Sequence, residues 1–340
     1  MKRKISKILF YAFLLPCALA VVFGVWLLIY AKTPIDAAKD KTVLVDIPTG
    51  TSLIKVTEIL SDVGLVENRF LFYGLVGIKG GTRSIRAGEY EFATSLSPSE
   101  LVDKLIRGEI KNYRVTIHED YSLKEVAARL KEYKLIDEKA FFELAEDEVF
   151  LSSLGVLGSS IEGYLFPDTY FFNRSLTTRE IMRIMAERFW SKISPEMITK
   201  AAERGFDPHQ FVTFASLVGK ESGNSAEKPM IAAVFYNRLK KKMPLQCDPT
   251  AVYDLKDFNG KILRSHYKRK SPYNTYIIKG LPPGPIANPG LDSFRAVLNP
   301  ADVDYLYFVS QKDGTHFFSS SLDAHNNAIL RFRYGADSNK

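Results

Sequence analysis

Phe211-Val212-Thr213-Phe214-Ala215-Ser216-Leu217-Val218-Gly219-Lys220-Glu221-Ser222-Gly223 is the stretch on which the reading of this chain turns. Phe211, Phe214, Ala215 and Val218 recur at i, i+3, i+4 and i+7, the spacing that lines one face of an α-helix. Glu221 falls three residues beyond Val218, on that same face, and Gly223 supplies a stop. A carboxylate pointing inward at a helix end, with no charge partner on its face, is costly to keep ionised. Partial desolvation raises its pKa and holds it protonated near neutrality, as a general acid requires. Periodicity alone fits equally well a plain helix terminus whose glutamate pairs with a surface lysine.

The surroundings of this helix read as α+β. A region from Pro195 onward opens with helices and becomes rich in Pro, Gly, Tyr and Asn between Met243 and Gly290. It closes with strands at 305–309 and 315–319, a turn at Asp313-Gly314 and a helix from Ser321. Upstream, helical patterns cover 122–133, 138–146 and 178–192, punctuated by a loop at 159–170. Further up lies a weak repeat: Val45, Ile47, Ser52, Leu53, Val56 and Leu60 match Val115, Ile117, Ser122, Leu123, Val126 and Leu130 at an offset of 70. Each copy predicts a strand, a turn (Pro48-Thr49-Gly50; Glu119-Asp120-Tyr121) and a Ser-capped helix. Between the copies, residues 88–92 predict a strand and 97–107 a helix capped by Ser97 or Ser99 and stopped by Gly108.

At the N-terminus, residues 8–31 are apolar but for Pro16 and Gly24, and these 24 residues exceed the roughly 20 needed to span a bilayer. Lys2, Arg3, Lys4 and Lys7 keep that end cytoplasmic, so everything after Lys32 is expected outside. A cleaved signal peptide would have a shorter apolar core, about 7–15 residues, and a small-x-small site that Leu27-Leu28-Ile29-Tyr30-Ala31 lacks. The net charge of +7 falls to +3 once those four residues are set aside (7 − 4), too mild for nucleic acid. Cys17 and Cys247 belong to different environments and predict no disulfide. The five histidines form no metal-ligand pattern, so neither a metal nor any other cofactor is expected.

Several segments together carry a resemblance. Glu221-Ser222 at a helix end is similar to the Glu-Ser signature of lysozyme-like lytic transglycosylases. The run Ala215–Glu221, Phe235-Tyr236-Asn237-Arg238-Leu239, Leu245-Gln246-Cys247-Asp248-Pro249-Thr250 and Tyr273-Asn274-Thr275-Tyr276 resembles the endolytic murein transglycosylases of the MltG (YceG-like) family. Residues 280–290, 162–170 and 86–90 match in the same order. One departure stands out: the family commonly has Glu-Lys-Glu where this chain has Gly219-Lys220-Glu221.

The resemblance implies cleavage of the MurNAc–GlcNAc bond of peptidoglycan with a 1,6-anhydro product, and partnership with cell-wall synthases. It also implies a cytoplasmic tail (1–7), a transmembrane helix (8–31), a linker (32–41) and a LysM-like module (42–110). A connecting region (111–194) and a catalytic domain (195–340) follow, with Glu221 as the acid. Ser222, Gln246, Asp248, Thr250, Tyr273, Asn274 and Tyr276 offer the hydroxyls, amides and amphipathic rings that suit a sugar cleft. For these residues capping and packing are the competing roles. Two other readings stay open: a hydrolytic muramidase or glucosaminidase, with Asp168 or Asp248 as second carboxylate, and a non-catalytic wall-binding scaffold.

Overall fold

A computed structural model describes residues 2–36, 41–256, 258 and 260–334. They fall into two compact units, one comprising the chain up to Tyr113 together with Asn173–Leu176, the other Arg114–Phe172 and Thr177 onward.

The first unit begins with α1 (Lys2–Lys32), which runs through the expected tail and span without a break. Within it Phe13–Lys32, at mean hydropathy 2.4, is long and apolar enough to cross a membrane. Its last turns belong to a folded core: Leu27 and Ala31 are buried with Leu71, Phe72 and Val102, and the Tyr30 hydroxyl donates to Asn68 O at 3.3 Å. There follow β1 (Thr42–Ile47), α2 (Leu53–Asp62), α3 (Arg69–Ile78), β2 (Gly88–Ala93) and α4 (Pro98–Arg107). β1 and β2 pair antiparallel from Thr42↔Ala93 to Ile47↔Gly88. Alternation along β1 sends Val45 and Ile47 inward onto Val56 and Leu60 of α2. Ser97 and Glu100 form a reciprocal cap on α4, and Gly108 ends that helix at φ 65°.

α3 was not anticipated. Its sequence, Arg69-Phe-Leu-Phe-Tyr-Gly-Leu-Val-Gly-Ile, is aromatic, β-branched and glycine-bearing, a composition that favours strands. Asn68 starts the helix by accepting from Phe70 N and Leu71 N, and packing against α1, α2 and α4 overrides propensity.

The second unit contains β3 (Tyr113–Thr116) from Arg114 onward, α5 (Leu123–Glu132), α6 (Glu138–Ala145), α7 (Glu148–Ser153), β4 (Thr169–Phe172), α8 (Thr178–Lys192), α9 (Pro195–Glu203), α10 (Pro208–Glu221) and α11 (Lys228–Lys240). It ends with α12 (Leu291–Leu298), β5 (Tyr307–Ser310), β6 (His316–Ser319) and α13 (Leu322–Tyr334). β3 pairs with β4, and β5 with β6. Most of the expected connecting region thus folds with the C-terminal elements.

α10 forms the centre. It is capped by Asp207 and Gln210, with Pro208 in its first turn. The helix is not buried on one face only: every residue from Phe211 to Gly219 is inaccessible, because α9, α11 and α12 pack around it. Phe211 stacks edge-on to Phe294 of α12 at 5.2 Å, and Phe214 lies 4.8 Å from Tyr236 of α11. What singles out Glu221 is therefore its place at the end where burial gives way to solvent.

Candidate active site

Glu221 is the last residue of α10, and Ser222 leaves the helix in an extended conformation. Facing it is the loop after α11. Asp248 N donates to Glu221 Oε1 at 3.1 Å, and the Cys247 thiol donates to the same carboxyl group. Among the described residues no lysine or arginine pairs with it. Burial, reinforced by the nearby Asp248 carboxylate, pushes its pKa up to about 7, against the two donors and the more distant His316. Burial and the Glu221 carboxyl together drive the Cys247 thiol well above its ordinary range, so it stays a donor.

The facing loop is held in an unusual shape. Gln246 sits at φ 53°, its N–H bonded to Thr275 O at 3.1 Å. Arg238 of α11 is buried and reaches under the loop, donating to Leu245 O at 2.8 Å, Gln246 Oε1 at 3.2 Å and Leu306 O at 2.7 Å. Asp248 Oδ2 accepts from the Tyr267 hydroxyl at 3.2 Å and Oδ1 from that of Tyr276, whose rings lie 4.4 Å apart.

The expected substrate contacts divide. Gln246 is exposed, while Asp248, Tyr273 and Tyr276 are half-buried, leaving each a surface to offer. Thr250 and Asn274 are fully buried, and their polar groups are committed elsewhere. The Thr250 hydroxyl bonds Cys247 O at 2.5 Å and the Thr275 hydroxyl at 2.7 Å. The Asn274 amide donates to the carbonyls of His266, Tyr267 and Arg269 and accepts from Tyr276 N. Ser222, also buried, closes a turn with Asn224. These three shape the wall from behind.

Asp168 is committed to Arg188 of α8 at 2.6 Å, which, with Thr169 N–H, holds its carboxyl below the usual range. Glu162 is a second buried carboxyl that burial pushes to about 7. It accepts from Leu123 N, the Tyr253 hydroxyl and Asn288 Nδ2. The 280–290 segment is tied down by Asn288, which also accepts from Gly163 N and Leu165 N, and by Ile286 N on the Ser216 hydroxyl.

Sequence reasoning missed Arg238, Cys247 and the buried Glu227, which grips His316 at both its N–H (2.9 Å) and Nδ1 (2.7 Å). Two signals pointed to Arg238: its place in the motif Phe235-Tyr236-Asn237-Arg238-Leu239, and its being the one charge in the mostly apolar run Ile231–Leu239.

A carboxyl raised toward neutrality at a helix end, braced by a thiol and a backbone N–H above a polar, tyrosine-lined loop, is suited to general acid chemistry. Comparison with known proteins gives the family of the chain as a whole. The chain belongs to the YceG-like family, whose sequence pattern matches residues 45–331. An endolytic murein transglycosylase of Bacillus subtilis is 33% identical over 323 residues, covering 89% of each chain. One from Streptococcus pneumoniae is 29% identical over 96% of this chain and 65% of its own length. A solved YceG-like protein from Listeria monocytogenes superposes with a TM-score of 0.59 at 31% identity, over 85% of this chain and all of that one.

Proposed function

We propose that this protein is a membrane-anchored endolytic murein transglycosylase with Glu221 as its acid and base. The observation that carries the reading is the Glu221 carboxyl, pushed to about 7 by burial and free of any cationic hydrogen-bond partner among the described residues. Protonated Glu221 donates to the oxygen linking MurNAc to GlcNAc as that bond breaks. The resulting carboxylate takes the proton of the muramoyl C6 hydroxyl, whose oxygen bonds to the anomeric carbon and closes a 1,6-anhydro ring. One group serves both steps and no water is consumed, whereas a hydrolase employs two carboxyls. Gln246, Asp248, Tyr273 and Tyr276 meet the sugars. Ser222, Thr250 and Asn274 hold the loop.

The strand–helix–helix–strand order of β1, α2, α3 and β2 supports a LysM-like role for the first unit in holding glycan. α1 anchors the chain in the cell membrane, its N-terminus cytoplasmic by the positive-inside rule. Wall synthases are the partners this placement suits.

The test is digestion of purified peptidoglycan by the full chain in detergent, beside its Glu221→Gln variant, with fragments weighed by mass spectrometry. Internal fragments with anhydro ends, reduced about 10²–10⁴-fold in the variant, are expected. Water-added reducing ends would instead make the protein a hydrolase, with Asp248 as the next carboxyl to replace. No cleavage by either protein would favour the scaffold.

A further inference from the structure

Gly219 lies two residues before Glu221 and departs from the Glu-Lys-Glu pattern. The space beside it is not empty. A Cβ placed on Gly219 would meet Asp120 Oδ1 at 1.8 Å and its carboxyl carbon at 2.6 Å. The carboxylate of Asp120, from the turn before α5, thus occupies the place a side chain at 219 would take.

Asp120 reaches that place at a cost. Its φ is 64°, in the left-handed region where glycine is the easy residue. Gly50, its counterpart at the offset of 70, has the same conformation (φ 79°) and nothing within 4 Å of a Cβ. Asp120 Oδ1 is also buried without a hydrogen-bond partner among the described residues. A strained backbone and an orphaned oxygen, where the sister turn has glycine, indicate a residue kept for its carboxylate.

The charges facing it explain what that carboxylate meets. Lys228, in the first turn of α11, has a side chain only 3% exposed, with Nζ 3.2 Å from Glu119 Oε2 and 3.9 Å from Asp120 Oδ2. Lys220, on α10 itself, contributes a weaker attraction and is paired with Glu125. A buried ammonium requires compensation, and Asp120 supplies part of it between α10 and α11.

We propose that Asp120 is a positioning residue for Glu221: it supplies from a neighbouring turn the carboxylate that seats the last turn of α10 beside Lys228, so that positions 120 and 219 form an exchangeable pair. This rests on the reading of Glu221 as the acid. Burial, with Glu119 adding to it, raises the Asp120 carboxyl to about 6 in spite of Lys228 and Lys220. Its charge, and with it the positioning, is present above that pH and lost below it.

The experiment is a double-mutant cycle on the full chain in detergent, read as kcat/KM on peptidoglycan and as thermal unfolding. Gly219→Glu alone drives one side chain into another, and Asp120→Gly alone empties the place; each is expected to lower activity about tenfold or more. The double variant relieves the left-handed strain, restores a carboxylate from α10, and is expected within about threefold of the parent. A double variant no better than its weaker single parent overturns the proposal. So does a double variant whose unfolding recovers while its activity does not, since the pair would then be structural only. If Gly219→Glu fails to fold, Asp120→Asn decides. It keeps the shape without the charge and is expected to lose the acid-side inflection near pH 6 while the alkaline limb set by Glu221 stays. An unchanged profile overturns the role. Full activity in Glu221→Gln, assayed alongside, overturns the assignment of the acid and this role with it. That failure is told apart from failure of the pair, whose coupling is read in the unfolding of the double variant.

Discussion

The two β-turn-α copies share their pattern and differ in what surrounds them. In the first, Ser52 caps α2 through Lys55 N alone, at 3.4 Å, and the turn before it is solvent-exposed around Gly50. In the second, Ser122 and Glu125 cap α5 reciprocally, and Glu162 accepts from Leu123 N behind them. Val56 and Leu60 are buried just as Val126 and Leu130 are, so the hydrophobic frame is the same. What has been added is charge in low-dielectric surroundings: Asp120, Glu162 and the paired Lys228. A repeat conserves its apolar spacing because packing requires it, whereas the polar positions are free to be turned to a site.

The largest test of this contrast is pH. Glu162 and Glu221 titrate near 7 in the folded protein, well above an unfolded glutamate. The folded second unit therefore retains protons that its unfolded chain releases, and the associated stability is full below about pH 4.5 and lost as pH rises through 7. Each group contributes at most roughly 3 kcal/mol. In the first unit the Glu100 carboxyl is held low by Ser97 and titrates below this window. Calorimetry between pH 5 and 8 should show one transition falling with pH while the other stays. Two transitions moving in parallel would break the contrast, and Glu221→Gln should flatten the falling one.

Glu162→Ala comes next. It strands Leu123 N–H, Asn288 Nδ2 and the Tyr253 hydroxyl in the interior and should destabilise the second unit by about 3–4 kcal/mol. Chemical denaturation measures it, and a loss under 1 kcal/mol would mean that water reaches this site.

What could be read in the sequence was what is decided locally. Ser97, Gly108, Ser122 and the bounds of α8 follow from caps and spacing within a few residues. α3 was hidden because its composition favours strands and only tertiary packing makes it a helix. α12 was hidden behind the Pro/Gly-rich run it follows. At the site, Glu221 stood out as an acid ending an apolar helix. The roles of Asp120, Glu162 and Glu227 depend on partners between 39 and 126 residues away in sequence, which no periodicity reports. Thr250 and Asn274 show the converse limit: polarity near the acid suggested contact with sugar, and nothing in the sequence signalled the internal hydrogen bonds that hold their polar groups.

The finest comparison is between the caps and the turns themselves. Ser122→Ala should cost about 1–2 kcal/mol, because it removes both hydrogen bonds of the Ser122 hydroxyl, to the Glu125 carboxylate and from Glu125 N, and leaves only the half of the cap donated by the backbone N–H of residue 122. Ser52→Ala should cost about 0.5–1 kcal/mol, from one long hydrogen bond. Gly50→Asp should cost less still. Aspartate tolerates the left-handed conformation better than most residues, and the open surroundings of Gly50 meet its side chain with neither a clash nor a buried charge. A shift in the first transition smaller than about 1 kcal/mol is expected, with activity unchanged. That small effect, set against the large loss expected for Asp120→Gly, would show that the conformation of the turn is common to both copies and that only the second depends on its carboxylate. A Gly50→Asp loss as large as that of Asp120→Gly would instead trace both effects to the backbone of the turn, and the distinction drawn between the two copies would fail.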